Sequence, residues 1–363
     1  MHHPSHRTRR FAWRGLLAVT VAAVALVVPA LPAGADSYAP DTSGQIQVKG
    51  SYVPLVGNFS GDERDDIFWY APGSGAEQLW IATGIPAQPF TKQAGDPVNG
   101  TYTPLVGNFG GDAYEEILWY APGTAGDVLW TNPAGYFQPR SVRIDGTFTP
   151  LVLDNPGTWD AIFWYAPGAA RDAVWQFLNT TWQSTSYAIN GTYRPFVLDQ
   201  NGDFVDDIFW YAPGTSPDTL WLRRPSGGFN PYPKTINGTY TPLVGEWGAV
   251  ADNMEDILWS NPSGGDVLMT SDIEGATSTA PVTLPNRKAI VAESPGRDIA
   301  YFYGGAGPDQ VWRRDADGST PTEVQTGYDA PDPSVALTGS FANTSSGSLF
   351  FYRAGTASEL LLR

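Results

Sequence analysis

The sequence predicts an all-β fold, a seven-bladed β-propeller of four-stranded antiparallel blades closed by an N-terminal strand that completes the last blade. Three observations lead there. A phrase near Gly50 returns with substitutions: GSYVPLVGNFSGDERDDIFWYAPGSGAEQLW from Gly50, GTYTPLVGNFGGDAYEEILWYAPGTAGDVLW from Gly100 and GTYRPFVLDQNGDFVDDIFWYAPGTSPDTLW from Gly191. The aromatic after its Ile-Phe/Leu step falls at Trp69, Trp119, Trp164, Trp210, Trp259, Tyr301 and Phe351, a mean spacing of 47 residues. Each unit holds several short apolar runs divided by turn residues, the pattern of a radially repeated sheet.

Taken in order, residues 1–35 stand outside the repeat. Arg7, Arg9, Arg10 and Arg14 precede an uncharged apolar run from Leu16 to Pro32, and Ala33-Gly34-Ala35 follows. This is the layout of a secretory signal peptide cleaved before Asp36, and it predicts a secreted, extracellular protein. The run is short for a membrane span, so no membrane insertion is expected after its removal. Residues 36–44 read as a short polar linker, and residues 45–363 as the propeller.

Signal removal takes all three histidines (His2, His3, His6), and the chain has no cysteine. Four arginines go as well, leaving 17 basic against 37 acidic residues, a net charge of −20. That excludes a Ser-His-Asp triad, a Cys nucleophile and the usual zinc, haem or iron–sulfur sites. Such acidity argues against nucleic acid as a partner and leaves oxygen-bound hard cations as the natural inorganic ligands.

Within the first unit, Val53 to Val56 form a short strand, a polar loop runs from Asn58 to Asp65, and Ile67-Phe68-Trp69-Tyr70 make a second strand closed by Ala71-Pro72-Gly73. Gln78-Leu79-Trp80-Ile81 form a third, and a weaker fourth leads to the next Asn-Gly or Asp-Gly. Side chains alternate faces, so Ile67-Phe68-Trp69-Tyr70 is apolar on both faces and both must be covered. The recurrent tryptophans, Trp69 and Trp119 among them, are therefore expected in the core. The chain ends at a third strand, Leu360-Leu361-Leu362, while Gln45 to Lys49 resembles a spare fourth one; Ile46 and Val48 are expected to pair with it and close the ring.

An acid precedes each third strand: Glu77, Asp127, Asp172, Asp218, Asp266, Asp309 and Glu359. Sevenfold recurrence indicates a turn acceptor of backbone N–H groups rather than one active site. Asn99-Gly100, Asn190-Gly191 and Asn237-Gly238 match glycosylation sequons, but their fixed place in the unit favours turn chemistry.

The most chemically specific segment is Asp199-Gln200-Asn201-Gly202-Asp203-Phe204-Val205-Asp206-Asp207, with oxygen side chains at positions 1, 3, 5 and 9 and a bend at Gly202. Calcium takes six to eight oxygens in flexible geometry, which such a loop can supply. With Ile208-Phe209-Trp210-Tyr211 and Pro213-Gly214 after it, the loop resembles the FG-GAP/VCBS repeat family, whose propeller blades, as in integrin alpha subunits, carry calcium in a loop of this kind. The resemblance spans about residues 45–363 and is strongest in the first five units. It implies calcium ligands at Asp199, Asn201, Asp203 and Asp207; at Asn58, Ser60, Asp62 and Asp66; and at Asn108, Asp112 and Glu116, with Gly110 offering no side chain. Solvated Asx-type turns are the alternative reading of all three loops. The third (Asp154 to Asp160) is short, and the fifth (Glu246 to Asp256) is expanded.

The function expected is a non-enzymatic, calcium-stabilised binding or scaffold propeller, a monomer with an extracellular protein or glycan as partner. A lectin is the first alternative, with Trp159, Trp182 and Trp247 as loop aromatics that the fold does not demand. A carboxylate-dependent glycoside hydrolase or polysaccharide lyase is the second, since a carboxylate pair needs no histidine.

Overall fold

The computed structural model describes residues 40–362 apart from short segments at 42–45, 156–158, 169–170, 179–180, 225–226, 249–251, 272–275, 294–297, 314–321, 326–327, 331–333, 343–346 and 356–358. The expected signal peptide and most of the expected linker therefore lie outside the described residues. In the first blade β1 (Val53–Gly57), β2 (Asp66–Tyr70), β3 (Gln78–Ile85) and β4 (Gln88–Ala94) pair in that order, all antiparallel. Five further sheets repeat this order, and the seventh has three strands among the described residues. The seven units form a propeller ring. Its inner wall is made by first strands: β1 adjoins Thr103–Gly107 of the second blade and Val335–Gly339 of the seventh.

The second strands are buried along their whole length in blades one to four, six and seven. Each face is covered by a neighbouring blade. Trp119 is typical: its ring lies 5.9 Å from Phe68 and 4.9 Å from Tyr70 of the first blade and 5.1 Å from Trp130 of its own third strand. The tryptophans are core residues, as their two-sided apolar runs require.

Neighbouring blades are fastened at one rim by a repeated pair of bonds. Gly73 and Gly100 exchange backbone hydrogen bonds of 2.7 and 2.9 Å. Beside them the Tyr70 hydroxyl donates to the Gly100 carbonyl at 2.7 Å and accepts the Tyr102 N–H at 3.0 Å. Tyr120, Tyr165, Tyr211 and Tyr352 do the same to the blade that follows each. Gly100 has φ +138°, and a Cβ there would sit 2.7 Å from the Tyr102 ring, so only glycine fits. The Asn-Gly steps are thus inter-blade junctions.

Ring closure is confirmed, with a corrected register. Pro40 bridges Leu362, and the Asp41 N–H donates to the Leu361 carbonyl at 2.8 Å, so the pairing falls in the stretch read as a linker rather than at Ile46 and Val48. The reason lies in the junction. Gly50 exchanges bonds with Gly355, and the residue two places before such a glycine is a buried apolar plug: Val48 here, Val98, Ile144 and Ile189 in other blades. Ile46 and Val48 pack with Leu337, Phe341, Phe350 and Leu361 without belonging to a strand.

Two outcomes follow from the ring and its core. A chain that begins at Gly50 loses the Pro40–Leu362 pairing and the Ile46 and Val48 plugs, and should melt well below the parent in calorimetry. Trp119→Ala should cost about 3–5 kcal/mol in denaturant unfolding, as expected for a large aromatic removed from a packed site.

Candidate functional site

The polar loops between first and second strands occupy the other rim, and six of the seven end in one or two acids. The second acid belongs to its own blade. Asp66 accepts the Ser60 N–H and the Ala82 N–H, both at 2.8 Å, tying the loop to β3. Glu116 accepts from Gly110 at 2.7 Å and Asn132 at 3.4 Å. Asp207 accepts from Gln200 at 3.1 Å and Arg223 at 2.7 Å, and Asp256 from Trp247 and Ser271. The Gly at position 110 has a steric cause. A Cβ there would lie 2.6 Å from the longer Glu116 side chain, whereas the shorter Asp66 leaves room for Ser60.

The first acid reaches across to the preceding blade. Glu115 accepts the Asn58 N–H at 2.7 Å, Asp160 that of Asn108 at 2.7 Å, and Asp206 that of Asp154 at 2.7 Å. Glu255 takes the Asp199 N–H, Asp298 that of Glu246, and Asp65 that of Ser340 across the closure. Backbone bonds reinforce the contact, Glu115 N–H to the Asn58 carbonyl at 3.0 Å for one. The seventh blade has Gly347 at this place and keeps the backbone part, donating to Glu293 at 2.8 Å. The residue before the acid covers the preceding loop: a Cβ on Gly61 would meet Tyr114 at 2.5 Å, and one on Gly111 would meet Trp159 at 2.6 Å. The inter-blade acids were not singled out in the sequence, although an acid directly before six of the seven second strands was a readable signal.

The proposed calcium ligands divide unequally. In the first loop the Asn58 side-chain oxygen caps its own turn, accepting from Gly61 at 2.8 Å and Asp62 at 3.1 Å, and Asp62 pairs with Arg64 at 2.5 Å. Asn108 caps its loop through Gly111, and Asp112 accepts the Tyr114 N–H. Asp66 and Glu116 each accept one N–H from their loop and one from the third strand, so in both loops these acids already hold the turn in place. The fourth loop differs. Asp199, Asn201 and Asp203 crowd one turn: Asp199 accepts from Gly202, Asp203 and Phe204, Asn201 from Asp203, and Asp203 from Val205. Asp207 accepts one N–H from this loop and one from the third strand, and the charges of Asp199 and Asp203 act on it. Among the described residues no three His, Cys, Asp or Glu side chains gather into a metal-holding group.

Burial is the main electrostatic fact of this rim. It raises Asp66, Glu116 and Asp256 to about 7, and Asp207 and Glu115 to about 8, partly offset by the N–H bonds they accept. Asp160 also rises well above the ordinary range, through burial, the charge of Asp154 and a hydrogen bond to that carboxyl group. Nearby, burial lowers the Arg223 guanidinium, while Asp206, Asp160 and Asp154 raise it.

Acids before the third strands are turn acceptors, as expected. Asp127 takes the Ala121 and Ile144 N–H groups, and Asp172 those of Ala166 and Ile189, all at 2.8 Å. The three loop aromatics are corrected. Trp247 is fully buried and donates to the Leu243 carbonyl at 3.2 Å; Trp182 packs with Phe109, Trp175 and Phe177; Trp159 lies over Gly111. Trp182 lies on the fourth strand of its blade, while Trp159 and Trp247 cover the blade ends from irregular loops.

No protein-family model matches the chain, and no curated protein matches it. Solved structures share the fold. A streptogramin B lyase aligns with TM-score 0.52 at 12% identity, over 88% of this chain and 95% of that one. Rhamnogalacturonan lyase YesW (0.45, 10%, over 90% and 74%) and a Bacillus licheniformis rhamnogalacturonan lyase (0.46, 11%, over 86% and 71%) also align. At such identities the likeness is one of fold.

The carboxylates on this rim give a test. A buried acid with a raised pKa holds its proton more tightly folded than unfolded, so its stabilisation is full below about pH 4 and is lost as pH rises through about 7 to 8. Unfolding free energy should fall as pH rises from about 5 to 8. Glu115→Gln should keep near-parent stability, because an amide oxygen still accepts the Asn58 N–H; Glu115→Ala should cost about 1–3 kcal/mol in urea titrations.

Proposed function

We propose that this protein is a non-enzymatic, secreted binding or scaffold propeller of the FG-GAP/VCBS type, with an extracellular protein or glycan as partner. The observation that carries this reading is the employment of the acids. On the loop rim they repeat, blade after blade, as backbone acceptors that hold the ring together, and the recurrent tryptophans are in the core. The reactive residue types are thus spent on construction, which leaves a rigid ring as a display surface. Screening the purified protein against a panel of polysaccharides and extracellular glycoproteins tests it. Binding without product release is expected; turnover of any substrate counts against it.

Calcium enters the proposal at the fourth loop alone, where Asp199, Asn201 and Asp203 share one turn. A cation there would replace N–H bonds that these side chains now accept, so binding belongs at the weak end of extracellular sites, near 10⁻³ M. Millimolar calcium should then stabilise the fold by about 1 kcal/mol or less. Thermal melts with calcium and with chelator should differ slightly in the parent and not at all in Asp203→Asn. Identical parent curves would leave the loop a set of Asx turns.

A second reading, a carboxylate-dependent glycoside hydrolase or polysaccharide lyase, is favoured by one observation, the Asp154–Asp160 carboxyl pair. Two carboxyl groups in hydrogen-bond contact, one of them buried, are the raw material of acid–base chemistry. Polysaccharide cleavage that disappears in Asp154→Asn would establish this reading over the first.

A further inference from the structure

The outer edge of the blade interfaces departs at the fifth blade from the pattern of the first four. In blades one to four the third and fourth strands bring two aromatic rings together on the side facing the preceding blade. These are Trp80 with Phe90 at 5.5 Å, Trp130 with Phe137 at 5.2 Å, Trp175 with Trp182 at 6.0 Å and Trp221 with Phe229 at 5.5 Å. In the fifth blade the register puts Met269 where those tryptophans stand, because Met269 pairs with Ile257 as Trp80 pairs with Ile67. Thr277, opposite Ser271, takes the place of Phe90, which lies opposite Ala82. Both rings of the pair are missing at the seam between blades four and five.

A cavity of about 170 Å³ opens at this seam, lined by Thr235, Ile236, Asn237, Tyr240, Trp259, Val267 and Thr279. Its wall is apolar and aromatic, with the Tyr240 and Trp259 rings 6.0 Å apart in an edge-to-face arrangement. Its mouth is polar, since Thr235, Asn237 and Thr279 are exposed. An apolar cavity of about 150 Å³ left by a deleted side chain takes up a benzene ring. At this seam two rings are absent and the surrounding rings already favour edge-on aromatic contact.

We propose that this niche binds a small aromatic ring, of indole or phenol size, beside the Met269 and Thr277 positions where blades one to four carry their aromatic pair. The ring packs against Trp259, Tyr240 and Val267, and any polar substituent points to Thr235, Asn237 and Thr279. The same chemistry is offered by a free aromatic compound or by an aromatic side chain of a partner, and the niche is independent of the acidic rim.

Fluorine NMR with 5-fluoroindole, and separately with a tripeptide carrying 5-fluorotryptophan at its centre, tests this on the full-length protein. With the parent, the 5-fluoroindole signal should shift and broaden in a saturable manner at millimolar concentration. Thr279→Trp, a change at an exposed mouth position, should fill the niche with its own ring and weaken that response at least tenfold while leaving the melting temperature no lower. Met269→Trp, which restores the residue of the other blades, should weaken it too. Saturable broadening of the tripeptide signal as well identifies a partner side chain as the source; a response confined to 5-fluoroindole identifies a free compound. A signal that stays sharp with the parent, or one that broadens equally with Thr279→Trp, overturns the proposal.

Discussion

Everything in this ring follows from a strand that is apolar on both faces. Ile67-Phe68-Trp69-Tyr70 and its counterparts have no side that can meet water, so a single blade cannot bury them. A neighbour is needed on each face, and the neighbour has the same need. A ring satisfies every unit at once, and an open stack would leave two end blades uncovered. Closure at Pro40 and Leu362 is therefore a condition of the core itself, since Trp69 packs directly on Phe350 and Tyr352 of the last blade.

Packing alone would let blades slide on one another, and two polar fasteners fix their offset. One rim has the glycine exchange and the tyrosine hydroxyl; the other has a carboxylate that accepts a neighbour's N–H. These bonds are directional where the apolar contact is not. They also explain why drift is tolerated unevenly. The fifth blade has Ser260 in place of the tyrosine, yet retains Glu255 and the Asp298 contact on the loop rim. The seventh lacks the acid at Gly347 but keeps Tyr352. At the seam of the fifth and sixth blades the tyrosine is lost while the loop rim remains held, and at the seam of the sixth and seventh the backbone bond from Gly347 to Glu293 stays.

The repeat, the two-sided core and the turn acids before the third strands were legible because each depends on local pattern: period, alternation and a carboxylate at a fixed turn position. The register of the closing strand was not. Ile46 and Val48 alternate like a strand, and only the bond between Gly50 and Gly355 reveals them as plugs beyond its end. The acid doublets were misjudged for a related reason. Asp206-Asp207 and Glu115-Glu116 look like a ligand with a spare neighbour, but adjacent residues point to opposite sides of a strand. One acid of each pair serves its own blade and the other the preceding one, a division that exists only once blades are side by side. Tryptophans in irregular loops looked dispensable, but blade ends must be roofed, and Trp159 and Trp247 are that roof.

Repetition also bears on where activity can sit. A feature present in every blade is accounted for by the requirements of the ring, so its chemistry gives no direction for a ligand. Departures from the repeat have no such account. The Asp154–Asp160 pair, the buried Arg223, the crowded turn at Asp199 to Asp203 and the missing aromatic pair of the fifth blade are departures of this kind. They lie in blades three to five, whose seams bring the short third loop, the fourth loop and the drifted fifth blade into succession. Duplication sets all blades alike, and the fifth blade shows that a fastener can change where the opposite rim still holds. The arc from the third to the fifth blade keeps its inter-blade acids throughout, Asp206 and Glu255 included. That continuity lets side chains there diverge from the repeat without opening the ring.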